Sequence, residues 1–168
     1  GGGSCVSGAW HSPTRNSDLS GDGSPDLLWQ NTSGQLYTWV VRNSTFTDGT
    51  YLTPGQAPTA TTSVVGTADL SGDDKPDLLL QDQSNGAVTL WTLVNATRTN
   101  TQTFPVAVNT PWRVQATADF DGDGRPDILW RHGTTGELFI WFMAPTAGGP
   151  TTTGFGYVQD AAHNHVVL

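Results

Sequence analysis

The sequence predicts an all-β chain of β-propeller blades: three four-stranded antiparallel sheets of about 50 residues each. Three observations carry that expectation. An aspartate-rich segment of nine residues occurs three times in one register, as Asp18 to Asp26, Asp69 to Asp77 and Asp119 to Asp127. Each copy ends in Pro-Asp and runs into a short apolar stretch: Leu27-Leu28-Trp29, Leu78-Leu79-Leu80 and Ile128-Leu129-Trp130. Each then reaches a glycine turn (Ser33-Gly34, Asn85-Gly86, Thr135-Gly136) with a tryptophan five residues further on, at Trp39, Trp91 and Trp141. No helical stripe interrupts this pattern.

Taken in order, residues 1–9 form a flexible lead-in, and three repeats follow over about 10–58, 59–108 and 109–158. The first strand of each repeat is expected over Trp10 to Ser17, Ser63 to Ala68 and Trp112 to Ala118. The first of these has poor strand character because of Pro13, Arg15 and Asn16. The apolar runs are second strands. Third strands span Gln35 to Val41, Ala87 to Val94 and Glu137 to Met143. In the last, Leu138, Ile140 and Phe142 point one way and Phe139, Trp141 and Met143 the other, so both faces are apolar. A sheet with one wet face alternates apolar and polar residues. These sheets are therefore expected to be stacked between neighbours. Fourth, more polar strands lie around Gly49 to Leu52, Thr101 to Phe104 and Phe155 to Val158. Residues 159–168 read as part of the first strand of a further blade, with His165 in the register of Trp112. Propeller rings have four to eight blades. A ring is thus completed by self-association, which we favour, by adjacent blades of a longer chain, or by exchange of end strands.

The repeated loop has the spacing of a hard-cation site. Oxygen-bearing side chains stand at positions 1, 3, 5 and 9: Asp18, Ser20, Asp22 and Asp26; Asp69, Ser71, Asp73 and Asp77; Asp119, Asp121, Asp123 and Asp127. Position 7 supplies a backbone carbonyl, so Ser24, Lys75 and Arg125 are all acceptable there. Position 6 must turn sharply, which suits Gly23 and Gly124 and is tolerated by Asp74. Ca2+ takes six to eight oxygens, and about three ions are expected, one per repeat; Mg2+ holds its waters and fits less well. Position 12 is Trp29, Leu80 or Trp130, never the bidentate glutamate of an EF-hand.

Charge follows from these loops. Eleven of the fifteen acidic residues lie inside them, so three divalent ions would reduce the formal −8 to about −2. No basic stripe is present to meet phosphates, which argues against a nucleic acid partner. Cys5 is the only cysteine, so no internal disulfide can form. There is no signal-peptide pattern and no apolar run of bilayer length. We expect a soluble mature chain without membrane insertion, any export signal having been removed. Weak calcium sites suit an extracellular, secreted or cell-surface location, where calcium is millimolar.

The three Asp-x-(Asp/Ser)-Gly-Asp-x-x-Pro-Asp loops, with their apolar runs and Gly-x-x-x-x-Trp hairpins, resemble the FG-GAP/VCBS repeat family over roughly Trp10 to Val158. The likeness is to its secreted bacterial branch more than to integrin α-subunits. The resemblance implies propeller blades with calcium held between the first two strands, at the residues given above. Family members serve in adhesion, as lectin-like modules or as appendages of enzymes.

Three functions are weighed. The first is a non-catalytic, calcium-stabilised binding or adhesion module for a glycan or cell-surface protein. Trp39, Trp91, Trp141, Trp29 and Trp130 are expected in the core, leaving Trp10 and Trp112 as platforms for sugar rings. The second is a structural, self-assembling propeller or polymer subunit, a homo-oligomer. The third, an enzyme accessory or enzyme, is disfavoured: outside the loops only Asp48, Asp82, Glu137 and Asp160 are acidic, with no shared spacing. No Gly-x-Ser-x-Gly nucleophile motif occurs. His163-Asn164-His165 is the best histidine pair and reads as a polar chain end. Asn31-Thr32-Ser33, Asn43-Ser44-Thr45 and Asn95-Ala96-Thr97 fit the glycosylation sequon.

Overall fold

The computed structural model describes residues 17–105 and 111–158. Blade one contributes β1 (Leu27–Gln30), β2 (Gln35–Arg42) and β3 (Thr45–Gln56). Blade two contributes β4 (Thr62–Ala68), β5 (Asp77–Asp82), β6 (Val88–Val94) and β7 (Thr97–Thr103). Blade three contributes β8 (Trp112–Ala118), β9 (Asp127–His132), β10 (Leu138–Ala144) and β11 (Thr151–Val158). Blades two and three are four-stranded antiparallel meanders. The expected first strand of blade one, but for Ser17, and the terminal strand from His165 lie outside the described residues, as do Trp10, Cys5, His11 and Asp160.

The fourth strands are longer than expected, and those of blades one and two begin directly after two-residue turns, whereas residues 145–150 connect β10 to β11 in blade three. Asn43 and Ser44 have φ of 46° and 63°, and Asn95 and Ala96 have φ of 49° and 60°. Left-handed backbone at both central residues defines the type I′ hairpin, whose twist matches that of its strands. Two of the three sequon-like triplets are therefore accounted for as hairpin turns. The third is an Asx turn: Asn31 Oδ1 accepts from the backbone N–H groups of Ser33 and Gln35 at 3.0 and 2.9 Å. Irregular registers recur at equivalent places, between Val40 and Val41, Thr92 and Leu93, and Phe142 and Met143. First strands β4 and β8 share one too, at Val64/Gly66 and Val114/Ala116. Such bulges increase strand twist.

Blades one and two are also joined edge to edge. Thr53 pairs in parallel with Thr97, and Thr53 N donates to the Ala96 carbonyl at 3.1 Å, giving one seven-stranded sheet beside the four strands of blade three.

Core sits between blades, as the two-faced third strands require. Leu36, Leu52 and Leu28 of blade one meet Leu78, Leu80, Trp91 and Leu93 of blade two. The opposite face of blade two, with Leu79, Val88, Leu90 and Phe104, meets Val114, Ile128, Trp130 and Met143 of blade three. All six residues of β5 are buried. Each buried leucine is worth about 1.5–3 kcal/mol relative to exposure, so most of the stabilising area belongs to junctions and not to any single sheet.

The tryptophans correct the expectation for blade one. Trp91 is 0% and Trp130 3% exposed, and Trp141 packs half-buried against the core. Trp39 and Trp29, expected inside, are 37% and 48% exposed. They occupy the same registers, but no preceding blade covers that face among the described residues. They pack on each other instead, ring centroids 4.8 Å apart.

Candidate metal centre

In blades two and three the aspartate-rich loop links the first two strands, in blade one it leads into β1, and each loop is held by its own carboxylates. In the first, Asp18 Oδ1 accepts from Gly21 N and Asp22 N at 2.8 and 3.0 Å, and Asp18 Oδ2 from Gly23 N at 2.8 Å. The second repeats this: Asp69 accepts from Gly72, Asp73 and Asp74 at 2.7, 3.0 and 2.8 Å. In the third, Asp119 accepts from Gly122 and Gly124 at 2.6 and 2.9 Å. The aspartate at position 5 accepts from the N–H at position 7 in all three, at 2.8–3.0 Å. Position 1 thus gathers the loop and position 5 fixes the peptide at position 7.

Position 6 turns as expected, with φ of 88° at Gly23, 64° at Asp74 and 86° at Gly124. Position 4 is a requirement the sequence reading missed. Gly21, Gly72 and Gly122 also have positive φ. A Cβ on Gly21 would lie 2.6 Å from Asn95 Oδ1 of the next blade, and one on Gly72 2.8 Å from Pro145 of the next.

Position 9 is buried in every copy, at Asp26, Asp77 and Asp127. Asp26 and Asp77 accept from the N–H groups of Ser20 and Ser71 at 2.6 and 2.7 Å. Asp127 accepts from Phe120 N at 2.9 Å and from Met143 N of β10 at 3.0 Å. Burial pushes the Asp77 carboxyl up to about 6, against the lowering effect of its Ser71 hydrogen bonds. Burial raises Asp26 and Asp69 as well. Carboxylates removed from water without a full counter-charge behave this way.

A cation stands beside position 5 in each loop. Lys75 and Arg125 turn back onto Asp73 and Asp123 at 3.6 and 3.7 Å, so position 7 contributes its side chain as well as its peptide. In loop one position 7 is Ser24, and Arg42 at the end of β2 pairs with Asp22 and donates to Ser24 Oγ. Arg42 lies sixteen residues beyond the loop, with no motif to flag it.

The donor set suits calcium. The side chains offered at positions 1, 3, 5 and 9 are carboxylates and serine hydroxyls, all hard oxygen ligands. In loop three, one oxygen from each of Asp119, Asp121 and Asp127 lies within 4.8 Å of the others. Oxygens sharing an ion at 2.3–2.6 Å can be at most about 5 Å apart, so this spacing fits. In loops one and two position 3 is serine, whose hydroxyl reaches Asp26 or Asp77 at 3.4 Å.

The remaining sequence candidates fare differently. Trp112, expected on the surface, is half-buried against the core between blades two and three, with His132, Phe139 and Tyr157 rings at 5.0, 5.9 and 6.3 Å. His132 Nδ1 accepts from the N–H groups of Thr134 and Thr135 at 3.3 and 3.0 Å, which occupies it in the hairpin turn. Asp82, one of the acids outside the loops, accepts from Ser84 Oγ, Thr61 Oγ1 and Thr59 Oγ1 at 2.6, 2.7 and 2.9 Å. Those hydrogen bonds hold its carboxyl well below the usual carboxylate range. It ties the β5–β6 turn to the segment entering blade two.

Stacked antiparallel sheets, four-stranded in blades two and three, each entered through an acidic loop, define a propeller-like repeat module for binding or for structure. The FG-GAP-like repeat family matches the sequence twice, over residues 18–80 and 69–130, each match running from one loop into the second strand of the next blade. The chain belongs to the FG-GAP repeat family. No curated protein and no solved structure matches it. Domains of this family are generally non-catalytic, often bind calcium and are typical of extracellular proteins. Among the described residues no helix is long and apolar enough to cross a membrane.

Proposed function

We propose that the chain is a non-catalytic, calcium-stabilised extracellular binding or adhesion module, with one ion per loop. The observation that carries this reading is the convergence of Asp119, Asp121 and Asp127 within 4.8 Å, on a backbone frame that the other two loops share. The ligands are Asp18, Ser20, Asp22 and Asp26; Asp69, Ser71, Asp73 and Asp77; Asp119, Asp121, Asp123 and Asp127; and the carbonyls of Ser24, Lys75 and Arg125.

Calcium would supply the positive charge that these crowded carboxylates lack. Two like charges 4 Å apart repel by about 4 kcal/mol at an effective dielectric near 20. The protein's own residues offset part of this through the Arg42, Lys75 and Arg125 pairs, which are exposed and worth about 0–1 kcal/mol each. The shortfall is what an ion relieves, fixing each first strand to its second. Isothermal titration of chelator-treated protein with calcium is the direct test. We expect about three sites, and an absence of heat together with an unchanged melting curve would refute the reading.

Carbohydrate is the ligand class that the aromatic surroundings of Trp112 support, since Phe139, Phe155 and Tyr157 extend them to the exposed edge of β11. A glycan array probed in calcium tests this part alone; no bound sugar would remove it and leave the calcium sites standing.

A further inference from the structure

The two junctions inside the chain use one register, and that register leaves two faces uncovered among the described residues. At the trailing face of blade two, Leu79 pairs with Leu90 and Gln81 with Val88, and all four are at most 1% exposed beneath blade three. In blade three the same places hold Leu129 paired with Ile140 and Arg131 with Leu138, all only half-buried. At the leading faces of blades two and three, Leu78 pairs with Trp91 and Ile128 with Trp141. Blade one has Leu27 paired with Trp39 there, 50% and 37% exposed.

Two polar details repeat in the same order and stop at blade three. Gln30 Nε2 donates to the Thr62 carbonyl of the next blade at 2.7 Å, and Gln81 Nε2 to the Trp112 carbonyl of the next at 3.2 Å. Arg131 is third in this series, and its Nε is buried with no hydrogen-bond partner. Arg131 thus places a nitrogen-bearing side chain where Gln30 and Gln81 each reach the next blade. Likewise Gly21 abuts Asn95 and Gly72 abuts Pro145, both at the β-turn side of the following blade, whereas Gly122 meets nothing within 4 Å.

We propose that these faces cover each other between two copies of the chain: the trailing face of blade three takes the leading face of blade one of a second copy, closing a six-bladed ring head to tail. The occupant is a second copy because the required complement, an apolar leading face with Trp at the third-strand register and an Asn43-Ser44 turn where blade two has Asn95-Ala96, is present in this same sequence. Contacts of this heterologous kind form rings when the rotation closes. Two copies of the three blades described give a ring within the range of four to eight blades, and three copies do not. The inference stands apart from the calcium reading, since neither face includes a proposed ligand.

Sedimentation equilibrium on the full chain, run in millimolar calcium and again in chelator, is the test. The expected mass in calcium is twice 17.8 kDa. Trp29→Glu, at a position already exposed, and Ile140→Lys should each raise the dimer dissociation constant by at least about 100-fold, with far-UV circular dichroism unchanged. Mixing the two variants should restore a dimer, because one junction of the pair is then wild type. A monomer at about 100 µM in calcium, an open series of larger species, a dimer indifferent to Trp29→Glu, or a mixture that stays monomeric would each overturn the proposal. Titration heats from the calcium experiment stay readable in every one of those cases, so the two readings fail separately.

Discussion

The side-chain carbonyl of Gln81 accepts the backbone N–H of Val114 at 3.0 Å, across the junction between blades two and three. The same side chain donates to the carbonyls of Gly86 and Trp112, both at 3.2 Å, and is fully buried. One amide thus bonds three backbone groups, of which Val114 N and the Gly86 carbonyl would be stranded by apolar packing. Its position also fixes the relative height of two sheets, which apolar contact leaves free to slide.

Gln81→Leu should therefore destabilise the fold although it makes the site more apolar. Val114 N and the Gly86 carbonyl lose this partner while staying buried, at about 1–3 kcal/mol for each stranded group, whereas the Trp112 carbonyl keeps the Arg113 guanidinium at 2.9 Å. A lowered urea midpoint with unchanged slope is the expected signature.

Removal of calcium should lower stability strongly. With ~1 mM calcium and a dissociation constant of ~0.1 mM, linkage gives about 1.4 kcal/mol per site and about 4 for three independent sites. At roughly 2–4 °C per kcal/mol for a chain of this size, exhaustive chelation should lower Tm by about 8–16 °C. Differential scanning calorimetry with and without chelator checks it.

Asp121→Ala should weaken one ion site at least about tenfold and spare the other two. Asp121 is exposed and accepts Asp123 N at a long 3.1 Å, so loss of its carboxylate removes a ligand with little damage to the fold. Calcium titration resolves whether one site alone is lost.

In the metal-free protein, stability should fall as pH rises from about 4 to about 6. Asp77 titrates near 6 when folded and near 3.8 when unfolded. Across that interval the folded state binds more protons, so its advantage is complete below the lower value and is lost on passing the upper. Asp26 and Asp69 act in the same direction. Calcium requires the ionised carboxylates, so the gap between melts with calcium and with chelator should widen as pH rises through 6.

Ser44→Gly should stabilise the chain by about 1 kcal/mol, because Ser44 sits exposed at φ 63°, a conformation glycine adopts without cost. Thermal melting of the variant, rising by a few degrees, is the check.

Much of the site is legible in the sequence. The spacing of Asp69, Asp73 and Asp77 placed the loop between two strands and required a left-handed residue at Asp74, because those features are local. Arg42, Gln81 and the position-4 glycines were not legible, for they act on groups distant in sequence. Gln81 left one faint signal, a polar side chain directly after the apolar run Leu78-Leu79-Leu80 at the same register as Gln30. The Asn43-Ser44 and Asn95-Ala96 turns were visible only as sequons, since the same three letters serve two purposes.

Trp29 and Trp39 separate the two kinds of information. Sequence alone determined that every blade carries strands apolar on both faces, that a nine-residue acidic loop enters each, and where each tryptophan falls along its strand. Period and spacing encode these, and both are properties of the chain read locally. Only the tertiary structure decided which copy of an identical register is dry. Burial depends on what lies across the junction, and among the described residues repeats that look alike in sequence differ in having a neighbour on one side, on the other, or on both.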